Sequence, residues 1–260
     1  MDKRLIGKTA IVTGSNRGIG RAIAQRFAAE GARVVLAARD AALLETAAAE
    51  ILNRGGTAAR MALDLRPPDA AARLVEFTLR EFGPPDIVVN NAGATKRGDF
   101  FELTEEDWAD GFALKFFGAV RLTRAAWPHL KERRGSVLNI SGVGGRMPGP
   151  YFTIGGSVNA ALLSFTKAMA DVGVRDGVQV NAINPGSIRT DRLRRLLAQQ
   201  AAEHNIPPEQ AEQKIVEMNR ITRIGEPEEI AALAAFVVSP EGRLLQGALI
   251  DMDAGATKVI

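Results

Sequence analysis

Short β-branched runs alternate with helical stretches through most of the chain, and no other feature constrains its fold as tightly. The runs are TAIVTG (9–14), RVVLAA (33–38), DIVVNNAG (86–93), SVLNIS (136–141) and VQVNAINPG (178–186). Between them, DAALLETAAAEIL (40–52) and AARLVEFTLREF (71–82) carry helical periodicity. TEEDWADGFALKFFGAVRLTRAAWPHL (104–130) predicts a longer helix, with Thr104 and Asp107 supplying its cap and favourable dipole charge. This rhythm predicts a doubly wound α/β fold, a parallel sheet with helices on both faces. Nearly continuous apolar strands fit burial from both sides.

With 260 residues, 46% of them hydrophobic, and no repeat, linker or low-complexity tract, one domain spanning residues 1–260 is expected. After INPGSIRT (183–190) the alternation breaks. Residues 191–222, rich in Arg, Gln and Glu, predict two helices around NIPPEQ (205–210). An insertion beyond the carboxyl end of a strand is placed to be a substrate lid, or else a solvated flap. The absence of cysteine excludes disulfides and thiolate metal sites, and no metal is expected. The longest apolar run, IAALAAFVV (230–238), falls far short of the roughly 18 residues that span a bilayer. The N-terminus enters a glycine-rich turn instead of a signal core, so an unexported, cytoplasmic protein is the expectation. A net charge of +3 from 33 basic and 30 acidic side chains does not predict a nucleic-acid surface. The densest basic cluster holds Arg189, Arg192, Arg194 and Arg195, either a solvated helix face or a gate for anionic substrates. His129 and His204 are expected at the surface.

The first strand leads into TGSNRGIG, with Gly14, Gly18 and Gly20 around Asn16, Arg17 and Ile19. Glycine there lets the backbone approach a pyrophosphate, and the following helix N-terminus offers free N–H groups to it. Together with NNAG (90–93), NIS (139–141), NPGSIRT (184–190) and the tail GEPEEIAALAAFVVSPEGRLLQGALIDMDAG, this turn resembles the short-chain dehydrogenase/reductase family over essentially the whole chain. The resemblance implies a single Rossmann-type doubly wound domain of about seven parallel strands that carries NAD(H) or NADP(H). It also implies a homotetramer or homodimer, paired through the fourth and fifth helices.

Where NAD-preferring members place an acid after the second strand, this chain has Ala38 and then Arg39. A guanidinium holds a 2′-phosphate that an acid would repel, and Arg17 adds a second cation, so NADP(H) is expected over NAD(H). The resemblance implies adenine contacts from Asp64 and Leu65, a loop bordering adenine and ribose at Asn91, Ala92 and Gly93, and a carboxamide-binding turn at Pro185, Gly186 and Ile188. Thr190 would lie near the phosphates.

The family's tetrad has serine to orient a carbonyl, tyrosine to protonate it, lysine to lower the tyrosine pKa and asparagine to hold a water. A free tyrosine pKa of about 10 must fall by some 3 units, roughly 4 kcal/mol, for that task. Here the four positions fall on Lys115, Gly142, Gly155 and Asn159, and none carries the expected side chain. Lysine and asparagine stand exchanged, so that an ammonium from Lys115 reaches the nicotinamide ribose beside Asn159. The alternative is two unrelated substitutions with Lys115 snorkelling to water. Tyr151, the only tyrosine, lies about 6 Å before Gly155 if the helix already runs there, and is a candidate acid. Pro148 and Pro150 argue instead for a loop. Ser141 inherits the serine role only if the chain bends at Gly142. Thr153 and Ser157 are weaker candidates. Lys96 and Arg97 border the expected cleft, as anion ligands or as solvated charges. The expected function is a rewired NADP(H)-dependent oxidoreductase interconverting a carbonyl and an alcohol on a small substrate, anionic if these cations serve it. The alternatives are a cofactor-binding sensor or partner subunit, and a lyase or isomerase on the same scaffold.

Overall fold

In the computed structural model, which describes residues 3–258 apart from the side chains at 200, 203 and 204, the apolar runs become the centre of one parallel sheet. The side chain of His204 therefore lies outside the described residues, and His129 is half-buried rather than exposed. The strands are β1 (Thr9–Thr13), β2 (Arg33–Ala38), β3 (Thr57–Ala62), β4 (Ile87–Asn90), β5 (Ser136–Ile140), β6 (Gln179–Pro185) and β7 (Leu249–Met252). They lie in the order β3-β2-β1-β4-β5-β6-β7, every pairing parallel. Every residue of β1, β4, β5 and β6 is buried, because both faces are covered. The edges β3 (TAARMA) and β7 are only partly covered, and neither shows the β-branched run of a central strand.

Alternate strand residues feed two apolar layers. Ala10, Val12, Val34 and Leu36 pack with Phe27 of α1 (Gly18–Ala29), Leu44 of α2 (Ala41–Asn53) and Ile230 of α9 (Pro227–Val238). Ile11, Val35 and Val88 pack with Leu74 of α3 (Ala70–Phe82) and Leu122 of α5 (Gly118–Arg133). The helix expected over 104–130 forms as α4 (Glu105–Phe112), a π-helical turn (Ala113–Phe117) and α5 in unbroken succession. Thr104 and Asp107 close a capping box at its start. On the same side of the sheet runs α6 (Thr153–Asp176), ended by Gly177 in the left-handed conformation.

The 191–222 insertion holds α7 (Asp191–His204) and α8 (Pro208–Met218), joined by their own small core of Leu197, Ala201, Ala211 and Ile215. Arg189 ties this flap down by binding Glu212 (2.6 Å) and Glu226 (2.9 Å). Arg194 pairs with Asp191 at 3.0 Å. The basic cluster is thereby split, since two of its members serve intramolecular ion pairs. No helix among the described residues is long and apolar enough to cross a membrane.

Candidate active site

Strand order reverses between β1 and β4, and a cavity of about 500 Å³ opens beyond their carboxyl ends. Gly14 (φ 63°) and Gly18 (φ 54°) adopt left-handed conformations that turn β1 into α1. A Cβ on Gly20 would lie 2.3 Å from the Gly14 carbonyl oxygen, so only glycine lets the helix sit this close. Arg17 precedes α1 without capping it through its side chain. The first N–H groups of the helix therefore keep their capacity to bind an anion.

Of the residues expected at a nucleotide, Gly14, Asn16, Arg17, Ile19, Arg39, Leu65, Asn91, Ala92, Gly93 and Thr190 line the cavity. Asn91 also fastens β4 to β1, its Nδ2 donating to the carbonyls of Thr13 (2.9 Å) and Gly14 (3.2 Å). Asp64 differs from the expectation. Its carboxylate accepts from Arg66 at 3.0 and 3.1 Å, and Leu63 and Leu65 form the wall at that end instead. Pro185 ends β6, and Gly186 donates to the Met252 carbonyl (3.1 Å) with no space for a Cβ beside Asp253. Ile188 is buried and bridges Gly225. Leu114 and Ala94 complete the wall and were not anticipated, because apolar residues at a helix turn or loop carry no distinguishing pattern.

Lys115 sits on the π-helical turn. Its stem lies against Gly93, where a Cβ would come within 2.8 Å of Cδ, and its Nζ donates to the Ser141 carbonyl (2.8 Å) and to Asn159 Oδ1 (2.6 Å). Burial, and then the nearby positive charge of Arg192, push the amine down from 10.5 to about 7. Both acceptors are purely acceptors, so a neutral amine keeps both hydrogen bonds and the ammonium has a third N–H to spare. The exchanged lysine and asparagine are thus in direct contact. A π-turn at this point is the local device that aims the side chain, and it leaves no periodic trace in the sequence.

The family model described as enoyl-(acyl carrier protein) reductase matches residues 14–257. An uncharacterised oxidoreductase of Mycobacterium tuberculosis is 39% identical over 98% of this chain and 94% of its own length. The 3-oxoacyl-[acyl-carrier-protein] reductase of Vibrio cholerae is 32% identical over 96% of this chain and 98% of its own. The crystal structure of L-sorbose reductase from Gluconobacter frateurii, complexed with NADPH and L-sorbose, is similar over 100% of both chains, with a TM-score of 0.96 at 32% identity. This chain belongs to the short-chain dehydrogenase/reductase family.

Within the short-chain dehydrogenase/reductase scaffold, the other sequence-derived candidates are distributed differently from expectation. Tyr151 lies in a separate 3-10 turn (Pro150–Phe152) ahead of α6 and is 62% exposed. Its side chain makes no hydrogen bond to Lys115, Asn159 or Ser141, and α6 starts only at Thr153, so the helical spacing of about 6 Å to Gly155 does not apply. The ring of Phe152 fills that space, so closely that a Cβ on Gly155 would fall 2.0 Å from Phe152 Cζ. An aromatic residue preceding paired glycines was the available signal. Ser141 is turned inward. Its hydroxyl donates to the Asn159 carbonyl (3.1 Å), away from a serine role, and its own carbonyl anchors Lys115. Gly142 (φ 153°) passes close to Asn159 Nδ2, which makes no hydrogen bond among the described residues. Thr153 Oγ1 is buried without a partner, and Ser157 is exposed. Lys96 is occupied by Asp107 at 2.8 Å. Arg97 and Arg192 both face Phe152, with guanidinium carbons 4.6 and 5.8 Å from the ring centre.

Proposed function

We propose that the protein is an NADP(H)-dependent oxidoreductase that interconverts a carbonyl and an alcohol, with Lys115 as proton donor in place of the family's tyrosine. The observation that carries this reading is the Lys115 amine, held by Ser141 and Asn159 against the cavity wall at Gly93 and poised to titrate near neutrality. The cavity fits the dinucleotide on three counts. Its glycine turn admits a pyrophosphate, and the uncapped start of α1 faces it. Arg17 and Arg39 line its outer end. Asp40, the one acid in the lining, is turned onto the Leu43 N–H at 3.0 Å and so leaves a 2′-phosphate unopposed. Gly14, Asn16, Ile19 and Asn91 through Gly93 would hold the body of the nucleotide, with Leu65 at the adenine and Ile188 and Thr190 towards the carboxamide and phosphates.

When bound, NADPH supplies a hydride to the substrate carbonyl. The protein's task is to orient that carbonyl and to neutralise the alkoxide. Asn159 Nδ2 is the free donor beside Gly142 and orients the oxygen. Lys115 gives its third proton to that oxygen, and the C=O electron pair becomes the new O–H bond. The neutral amine that results still donates to Ser141 and Asn159, so no buried group is stranded between turnovers. In the alcohol-oxidising direction the same amine takes the proton away. The α7–α8 flap closes over the substrate side as a lid in this proposal. Self-association as a homotetramer or homodimer is supported by Phe117, 45% exposed beside the Phe116–Phe165 pair.

The test is paired. NADPH and NADH binding are followed by nucleotide fluorescence, and a panel of aldehydes and ketones is screened for NADPH consumption by wild type and Lys115→Met. The expected result is tight NADPH binding by both proteins, with turnover only in wild type. Binding without turnover by wild type on every carbonyl would overturn the catalytic reading in favour of a nucleotide-binding homologue.

A further inference from the structure

Many arginines of this molecule are neutralised by carboxylates. Arg4 and Arg26 both bind the buried Glu30, and Arg189 takes Glu212 and Glu226 together. Arg97 and Arg192 depart from that pattern. They come from the loop after β4 and from the first turn of α7, converge on the ring of Phe152, and form no ion pair among the described residues. The acids near them in sequence are engaged elsewhere. Asp99 accepts from the Phe101 N–H (2.9 Å), Asp107 from Lys96 (2.8 Å) and Asp191 from Arg194 (3.0 Å).

Both residues are exposed, yet partial burial desolvates their guanidiniums, and Arg97 further opposes the charge on Arg192. Arg192 in turn bears on Lys115. Arg97, Arg192 and Lys115 therefore bear on one another with no carboxylate paired to any of them among the described residues, an arrangement that costs free energy unless a ligand completes it. Phe152 lies within cation–π range of both guanidiniums, neither of which donates a hydrogen bond among the described residues, and their N–H groups suit two oxygens of one oxyanion.

We propose that Arg97 and Arg192 form the substrate-anchoring site of this enzyme and bind a carboxylate or phosphate group carried by the carbonyl substrate. The proposal rests on the reading of the neighbouring cavity as the NADP(H) site, which places Lys115 between nucleotide and anchor. Because Arg192 stands on α7, an anionic substrate also draws the lid onto the cleft, so that recognition and closure use one side chain.

The experiment is calorimetric titration of the full chain, loaded with NADP⁺ so that no ketone is reduced during the titration. The probes are acetate, inorganic phosphate, acetoacetate and dihydroxyacetone phosphate, with methyl acetoacetate and dihydroxyacetone as neutral counterparts. At least one oxo-anion is expected to bind about tenfold or more tightly than its neutral counterpart, the carboxylate and phosphate arms showing which oxyanion fits. Arg97→Met and Arg192→Met should each lose that preference while keeping the NADP⁺ affinity of wild type and a melting temperature no lower than its own. Equal binding of charged and neutral probes, or undiminished anion binding by both variants, would overturn the anchor. NADP⁺ affinity is read on the same samples, and the titrations are repeated without nucleotide. A failure of NADP⁺ to bind would count against the cavity assignment, while the arginine pair is still judged by the nucleotide-free series.

Discussion

Replacing Lys115 with methionine should remove a pH-dependent destabilisation whose size follows from the position of the amine. Burial and Arg192 bring its pKa from 10.5 to about 7 in the folded chain. At about 1.36 kcal/mol per unit, that displacement amounts to as much as ~5 kcal/mol of folding free energy. Its sign is set by proton counting. Between pH 7 and 10.5 the unfolded chain binds a proton that the folded chain has released, so stability rises with pH through this window. The penalty is fully present below about pH 7 and absent above about pH 10.5. In urea titrations of wild type and Lys115→Met, the gap between the two should close by about 1.4 kcal/mol per pH unit from pH 7 upwards, because other titrating groups cancel in the difference. Methionine also keeps most of the stem's packing against Gly93. With Lys115 as the proposed proton donor, the same titration governs activity. The rate of carbonyl reduction in wild type should fall tenfold per pH unit above about 7, whereas a lysine at its ordinary 10.5 would leave it flat to nearly pH 10. Parallel stability curves across pH 7 to 10, or a reduction rate unchanged to pH 9, would refute the argument that the amine is held near neutrality.

Three further outcomes are expected. Asn159→Asp places a carboxylate against the Lys115 ammonium, so its pKa should rise and the pH–rate midpoint move upward by a unit or more, as read from the reduction profile. Gly155→Ala puts a methyl 2.0 Å from Phe152 Cζ, so the ring must leave. Stability in urea should drop by about 1–3 kcal/mol and anion binding should weaken, since Phe152 supports both guanidiniums. Arg17→Ala and Arg39→Ala should each weaken NADPH binding about tenfold without affecting NADH, measured by fluorescence titration.

The central fold was legible because its causes are local. Five of the seven strands stand out as β-branched runs, and the helices α2 and α3 begin and end within a residue or two of their predicted spans. The edge strand β3 (TAARMA) carries no β-branched run. A one-sided edge position tolerates Ala and Arg, which carry no strand signature. The glycine turn was legible for a similar reason, as positive φ at Gly14 and Gly18 is a backbone demand that glycine meets best. The ion pair of Asp64 with Arg66 was not legible, because the sequence does not specify the rotamer of a surface-type counter-ion.

The site around Lys115 divides along the same line. That the expected tyrosine and lysine are absent, and that a lysine and an asparagine stand at exchanged positions, can be read from residue identities alone. That the two touch, that Ser141 contributes a carbonyl and not a hydroxyl, and that Phe152 fills the space at Gly155 were decided by tertiary structure. Lys115 meets Ser141 and Asn159 across 26 and 44 residues of chain. One extra residue in the π-turn rotates everything after it by about 100° relative to a regular helix. Hydrophobic periodicity records which face of an element is buried, because every residue on that face shares the same environment. The direction of a single polar side chain depends on the few neighbours that the folded chain brings to it, and no repeating pattern encodes them.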